Sequence, residues 1–279
     1  MKLTTLNEAA KEKAVKGLGL SLTKIKTFDT CAYKYFLQYI KKEKYDQADF
    51  NPKFFKVGQF AHKWIESKIN GVECKFDSET LTDEDKQKTI SNCSRVFDNE
   101  YVKSILGKGQ AEKEFSLYIN PMESDGLEAS AKFSKTADFH GYIDYYAKVG
   151  DVIHVVDWKT GSKRDLSDDT FMQLMLYAKA CQKLHGGSKF VLSYYYVDMK
   201  SKNLATREFT LAELDEKIAA IVTKGVNIPK GDNESSFPAK PGWYCKYCPY
   251  SQNRSSDNTV PCKYTGKFEE PEKAAKVPT

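Results

Sequence analysis

No stretch of the 279 residues approaches the ~18 consecutive apolar positions that a membrane-crossing helix needs. The opening segment, MKLTTLNEAAKEKAVKG, has no apolar centre of the kind a secretion signal carries, so the expected compartment is the cytoplasm. The phosphate-cradling pattern G-x-x-x-x-G-K-[ST] is missing, and with it a built-in ATP-driven motor of that type. Cysteine is sparse and odd in number, at seven, which in a cytoplasmic chain argues against a disulfide framework. A strong charge of one sign is also lacking, since the net is only +5. That charge is uneven, however: residues 1–70 carry 14 lysines against seven acidic residues, a net of +7. A basic, Tyr- and Phe-rich amino-terminal third suits a phosphate-bearing polymer, and it suits a solvated lysine surface equally well. Hydrophobic content of 41% and aromatic content of 13% belong to a globular chain long enough to build a substantial core.

What is present is concentrated in residues 140–161, HGYIDYYAKVGDVIHVVDWKTG. Two runs rich in β-branched and aromatic residues flank Gly150-Asp151, a two-residue hairpin signal. With that pair as the turn, Val149 faces Val152 and Asp144 falls opposite Asp157. Side chains alternate along a strand, so Asp157 and Lys159 share one face while Trp158 takes the other. Two carboxylates apposed on a sheet repel each other. A divalent cation between them removes the conflict, and hard cations take carboxylate oxygens.

The flanking segments read as helices and strands around this hairpin. Residues 1–19 form a polar arm. In SLTKIKTFDTCAYKYFLQYIKK, Leu22, Ile25 and Phe28 recur at helical spacing after a cap at Ser21 or Thr23, and Cys31 sits where the segment turns. In FFKVGQFAHKWIESKIN, Gly58, His62 and Glu66 share one helix face and Phe60 and Trp64 another. Residues 78–106 read as one or two helices, with Thr82 and Asp85 spaced as a capping box. AEKEFSLYIN reads as the first strand, with Glu112 and Glu114 on its polar face, and MESDGLEASAKFSKTAD as a polar loop or irregular hairpin. Beyond Gly161, Asp168 or Asp169 caps a helix that closes at Gly186-Gly187 and carries Gln173 and Tyr177 one turn apart. KFVLSYYYVDM is a strand, and TREFTLAELDEKIAAIVTKGV a strand followed by a helix opening near Thr210. Residues 232–264 change character to Pro, Ser and Asn, and hold C-x-x-C at Cys245 and Cys248 with Cys262 beyond. Such a knuckle puts two thiolates on one metal, zinc or iron–sulfur, but no fourth cysteine lies nearby. Cys74 and Cys93 have no partners near them and read as structural, and residues 265–279 read as a disordered tail.

The sequence G-x-I-D followed by V-D-W-K-T-G resembles the active-site core of the PD-(D/E)XK nuclease superfamily, in particular its RecB-like branch. The resemblance spans roughly residues 20–264, and its motifs occur in the family's order. It implies an α/β fold, with a mixed central β-sheet flanked by helices, as one nuclease domain over 20–264. Within it, 20–110 is mainly helical, 111–231 is the α/β core and 232–264 is the cysteine segment. By this resemblance Asp144 and Asp157 ligate Mg²⁺ or Mn²⁺ with help from the Trp158 carbonyl, and Lys159 serves the attacking water. The G-x-x-x-H-x-x-x-E spacing is similar to the helix that supplies a ligating histidine, here His62. Q-x-x-x-Y is similar to the motif that steadies the DNA strand, here Gln173 and Tyr177. Some members also place a glutamate near Glu112 or Glu114.

The pattern S-x-x-x-I-x-x-F-x-x-C-x-x-x-Y also resembles the RecB-like branch, and by that resemblance Cys31 is the distant first ligand of a 4Fe–4S cluster completed by Cys245, Cys248 and Cys262, joining the two ends of the domain. The thirteen residues between Cys248 and Cys262 exceed the family's usual spacing, which keeps Zn²⁺ as the alternative. The implied activity is that of a stand-alone, divalent-metal-dependent DNA exonuclease in recombination, repair or end processing. It is similar to CRISPR-adaptation exonucleases and phage recombination exonucleases. The implied partners are DNA, single-stranded or with free ends, and a helicase or recombination protein, with no membrane. Two rivals stand beside it: a catalytically inactive nuclease-fold subunit that positions DNA for a partner enzyme, and a zinc-ribbon interaction protein.

Overall fold

The computed structural model of the chain describes residues 19–44, 52–120, 123, 126–162, 165–251 and 262. All of the amino-terminal arm but Gly19, and the carboxy-terminal tail, lie outside them. Among the described residues the α-helices are α1 (Leu22–Thr30), α2 (Ala32–Tyr35), α3 (Pro52–Ile69), α4 (Asp83–Ser94), α5 (Glu100–Ile105), α6 (Asp168–His185) and α7 (Leu211–Val226). The strands are β1 (Gly109–Ile119), β2 (Leu127–Ser130), β3 (Phe139–Val149), β4 (Val152–Lys159), β5 (Lys189–Tyr196) and β6 (Leu204–Thr210). The chain divides into two compact units, one of residues 1–22 and 51–226, the other joining 23–50 to 227–279.

The first unit is built on a six-stranded mixed sheet of order β2-β1-β3-β4-β5-β6. Only β4 and β5 run parallel, joined through α6; every other neighbouring pair is antiparallel. The Gly150-Asp151 turn sets the hairpin as counted from the sequence, with Val149 facing Val152 and Tyr145 facing Val156. Gly150 has φ +61°, a value that suits glycine at the first turn position and matches the strands' right-handed twist. The polar stretch after β1 is less irregular than its composition suggests. Leu127, fully buried, pulls a four-residue strand against Ile119.

Alternation along β3 and β4 sorts the sheet's two faces. Tyr145, Ala147, Val156 and Trp158 enter one core with Phe60, Ala61, Trp64 and Ile65 of α3. The opposite face is covered by α6, whose Leu174, Met175 and Ala178 are buried and whose Phe171 ring meets Tyr194 edge-on at 5.2 Å. Helix starts follow side-chain chemistry. Thr82 and Asp85 form the reciprocal capping box. Thr210 and Glu213 exchange bonds in the same way ahead of α7. The cap of α6 is Ser167 rather than Asp168 or Asp169: its hydroxyl accepts the Thr170 N–H and donates to Asp165. Asp168 is drawn instead to Arg207 at 2.6 Å and Lys217 at 3.1 Å, pairs a first-turn carboxylate can make without leaving the helix.

The second unit packs around aromatic rings. Phe237 lies against Phe28, Tyr35 and Phe36, with centroids at 6.4, 6.0 and 5.1 Å, and each ring pair adds about 0.5–1.5 kcal/mol beyond area burial. Helix α2 passes directly into a π-helical turn, Phe36–Lys41, which ends at Lys42 in the left-handed region, φ +56°. Buried Tyr250 donates to the Glu43 carbonyl at 3.3 Å, tying the carboxy-terminal segment to the end of that turn.

Candidate metal centre

At one end of the sheet, the acidic residues of the hairpin meet helix α3. Asp144 is buried, and its Oδ2 accepts the Trp158 N–H at 2.8 Å while lying 3.2 Å from His62 Nδ1. What Trp158 contributes visibly is therefore its N–H, which aims the Asp144 carboxylate. Asp157 is buried too, and Lys159 Nζ stands 2.6 Å from its Oδ2. That separation is an ion pair's, and the Lys159 ammonium balances the charge of this buried oxygen. Lys159 also lies over the Tyr194 ring at 5.2 Å.

Behind Lys159 runs a short polar chain. Lys159 Nζ donates to Gln173 Oε1 at 3.4 Å, and Gln173 Nε2 donates to the Tyr177 hydroxyl at 2.5 Å. Burial, then the charge of Asp157, pushes the Tyr177 phenol far upward, so it keeps its proton and remains a donor.

The residue whose place the sequence did not reveal is Glu112. β1 pairs with β3 on either side of it, Ala111 with Tyr145 and Lys113 with Ile143, which sets Glu112 opposite Asp144. Its backbone is left-handed, φ +50°, inside a strand, a conformation that costs a residue bearing a Cβ about 1 kcal/mol or more. One ligand atom each from His62, Glu112 and Asp144 lies within 4.8 Å of the others. The signal for Glu112 was present as a polar position on β1, but its pairing with Asp144 depends on a strand contact more than thirty residues apart.

The electrostatics are those of crowded acids. Burial and the charges of Asp144 and Glu66 push the Glu112 carboxyl up to about 7. Burial and the Asp144 charge likewise push Asp157 upward. Burial pulls the His62 imidazole down, but its bond to Asp144 and the two aspartate charges more than offset this and raise it to about 9. Carboxylate oxygens crowded beside one imidazole fit a divalent cation of the Mg²⁺ or Mn²⁺ kind. The centre opens into a cleft of about 780 Å³ lined by Phe54, Phe55, His62, Lys63, Lys75 and Glu112 among others.

In the second unit, Cys31, Cys245, Cys248 and Cys262 line one small cavity. Cys31 precedes α2 in extended conformation, and Cys245 lies in a 3₁₀ turn, Trp243–Tyr247, that carries the C-x-x-C knuckle. Backbone N–H groups of Lys240 and Gly242 point at the sulfurs of Cys31 and Cys245, at 3.4 and 3.3 Å. All four are free thiols, as are Cys74, Cys93 and Cys181. Among the described residues, His62, Glu112 and Asp144 form a metal-ligand group, and the cysteines do not appear in one.

The sequence profile of the PD-(D/E)XK nuclease superfamily matches residues 19–252, which takes in the sheet, α3, α6 and the C-x-x-C knuckle. The chain belongs to the PD-(D/E)XK nuclease superfamily. Members are metal-dependent nucleases, and DNA is the substrate the fold implies. No curated protein matches the chain. Among solved structures, the crystal structure of SSO0001 aligns at 16% identity over 78% of this chain and 92% of its own, with a TM-score of 0.31. Among the described residues, no helix is long and apolar enough to cross a membrane.

Proposed function

We propose that this PD-(D/E)XK chain is a RecB-like, divalent-metal-dependent DNA exonuclease acting in recombination, repair or end processing. The observation that carries the reading is the hairpin end: Asp144 beside His62 and Glu112, these three opening on one cleft, with Asp157 paired to Lys159 at the end of the adjoining strand. His62, Asp144 and Asp157 hold the metal, with Glu112 added to that set and the Trp158 carbonyl beside it. When bound, the cation supplies Lewis-acid polarisation of the phosphodiester and a more acidic water. Lys159, balanced against Asp157, orients the attacking water and neutralises charge that develops on the phosphate. Gln173 fixes Lys159 through its carbonyl oxygen, and the protonated Tyr177 donates toward the strand's phosphate.

At the cysteines we infer a 4Fe–4S cluster on Cys31, Cys245, Cys248 and Cys262, because four cysteines line the cavity with no histidine or carboxylate among them, the all-thiolate set such clusters take. Its role is structural, holding residues 23–50 to 227–279, and brown colour with absorbance near 400 nm in anaerobically purified protein is the expected outcome that distinguishes it from zinc. The fine reading as exonuclease rather than inactive DNA-positioning subunit rests on the intact Asp-Asp-Lys set, since a site without chemistry gains nothing by keeping two carboxylates apposed. The deciding experiment is digestion of end-labelled DNA with Mn²⁺ or Mg²⁺. Lys159→Ala is expected to lose cleavage, at least a hundredfold given what one oriented charge contributes to such a transition state, with DNA binding and fold kept. Wild-type turnover in that variant refutes the role of Lys159, and inactivity of metal-loaded wild type favours the binding subunit.

A further inference from the structure

Two aromatic side chains stand at the mouth of the metal cleft with no part in the chemistry just described. Phe54 is 76% exposed and Phe55 54%, both in the first turn of α3, and both line the cleft that holds His62, Glu112 and Asp144. Exposed phenyl rings are costly on a surface that serves no binding purpose. The core of α3 does not need them, because Phe60, Ala61, Trp64 and Ile65 form its buried face.

Their position has a direction. Phe55, Gly58, Gln59, His62 and Glu66 recur at helical spacing along one stripe of α3, and all five line the cleft. At 1.5 Å per residue, Phe55 and Phe54 lie about 10 and 12 Å along the axis from His62. That is roughly three stacked nucleotides, at 3.4 Å per nucleotide of a strand. Lysines 63 and 75 line the same cleft, the first held to Glu66 at 2.8 Å and the second exposed. A groove that interleaves ammonium groups with aromatic rings matches single-stranded nucleic acid, whose phosphates and base faces it meets separately. Inside a duplex both faces of every base are taken up by stacking, so only the terminal pair offers a face, and a ring about three nucleotides in meets a free base face only on an unpaired strand.

We propose that Phe54, supported by Phe55, is a base-stacking subsite that takes an unpaired nucleobase about three nucleotides from the metal centre and biases this chain toward single-stranded ends. The proposal rests on the nuclease reading and adds the form of substrate to it.

The test is a binding measurement on the full chain in EDTA, where no cleavage occurs. The probes are fluorescently labelled single-stranded DNA, blunt duplex, and single strands carrying one abasic position stepped inward from the end. Wild type is expected to prefer the single strand. Phe54→Ala should lower single-strand affinity about 5- to 100-fold, the scale of one lost base–aromatic stack, and leave duplex affinity unchanged. Phe54→Trp should restore it. One abasic position should lower wild-type affinity to the same extent and cost Phe54→Ala nothing more. Equal affinity of Phe54→Ala and wild type for single strands, or a loss the same on duplex and abasic DNA, overturns the subsite while leaving the nuclease reading intact. A wild-type chain that binds no DNA overturns both. The ring is mostly exposed, so an unchanged melting temperature accompanies the expected result.

Discussion

Replacing Glu112 with Gln should make the metal-free protein more stable and the metal-loaded one less so. Glu112 carries a carboxyl raised from 4.5 to about 7, mainly by burial and then by the charges of Asp144 and Glu66. In the unfolded chain it ionises near pH 4.5, while the folded chain holds its proton up to about 7. Between those values the folded state binds more protons, so stability falls as pH rises, and above pH 7 the whole penalty is present. The shift corresponds to about 3 kcal/mol at most, and water at the cleft mouth screens it to about 1–2 kcal/mol. Glutamine has the same shape and the same demand on the left-handed backbone, but no charge. In EDTA at pH 8, Glu112→Gln should therefore melt about 2–6 °C higher, the shift that 1–2 kcal/mol gives a chain of this size. At pH 4.5 and below the two should melt together. Saturating Mn²⁺ reverses the order, since the wild type gains a ligand-bound state that the variant holds more weakly. Thermal melts by circular dichroism, with and without the metal, read all three arms. A variant no more stable than wild type at pH 8, or an equal Mn²⁺-induced rise in both, refutes the placement of Glu112 among the ligands.

Two further outcomes follow from the same sites. Protons on His62, raised to about 9, and on Glu112, raised to about 7, compete with the cation. Apparent Mn²⁺ affinity should rise roughly tenfold per pH unit from 7 to 9 and more steeply below 7, with about one proton released per ion at pH 8 by calorimetry in buffers of different ionisation enthalpy; a pH-independent affinity removes His62 from the ligands. Cys245→Ser should lose iron, colour and solubility together, read by iron analysis and absorbance near 400 nm, and unchanged iron content excludes Cys245 as a ligand.

Much of the site could be read from residues alone because its decisive contact is local. Asp144 and Asp157 are joined by a two-residue turn, and once Gly150 fixes the turn, the period of two decides every side chain out to the strand ends. The capping box at Thr82 was legible for the same reason, since three residues separate its partners. The cap of α6 was not, because Ser167, Asp168 and Asp169 all suit it, and the choice is made by Arg207 and Lys217 from another part of the chain. Glu112 reaches the centre through a long-range strand pair and a positive φ, and neither leaves a mark in composition. The sequence assigned no face to Phe54 and Phe55; only the folded helix shows them exposed and lining the cleft.

Both sites carry the same signature of unfinished chemistry, in opposite donor sets. Asp157 is buried with Lys159 as its counter-charge, Glu112 sits in a left-handed backbone beside Asp144, and burial pushes the Cys248 thiol up against the opposing charge of Lys34. Each feature costs folding stability, which Lys159 beside Asp157, His62 beside Asp144 and Lys34 acting on Cys248 offset only in part. A bound cation would offset the electrostatic part of these costs, because a metal stabilises carboxylate and thiolate where desolvation penalises them. The donors also keep the two loads apart without any difference in affinity being needed. Oxygen and imidazole at the hairpin suit Mg²⁺ or Mn²⁺, and thiols at the cavity suit iron–sulfur or zinc. One chain can then hold a reactive ion at the sheet end and a structural one between residues 23–50 and 227–279 without exchanging them.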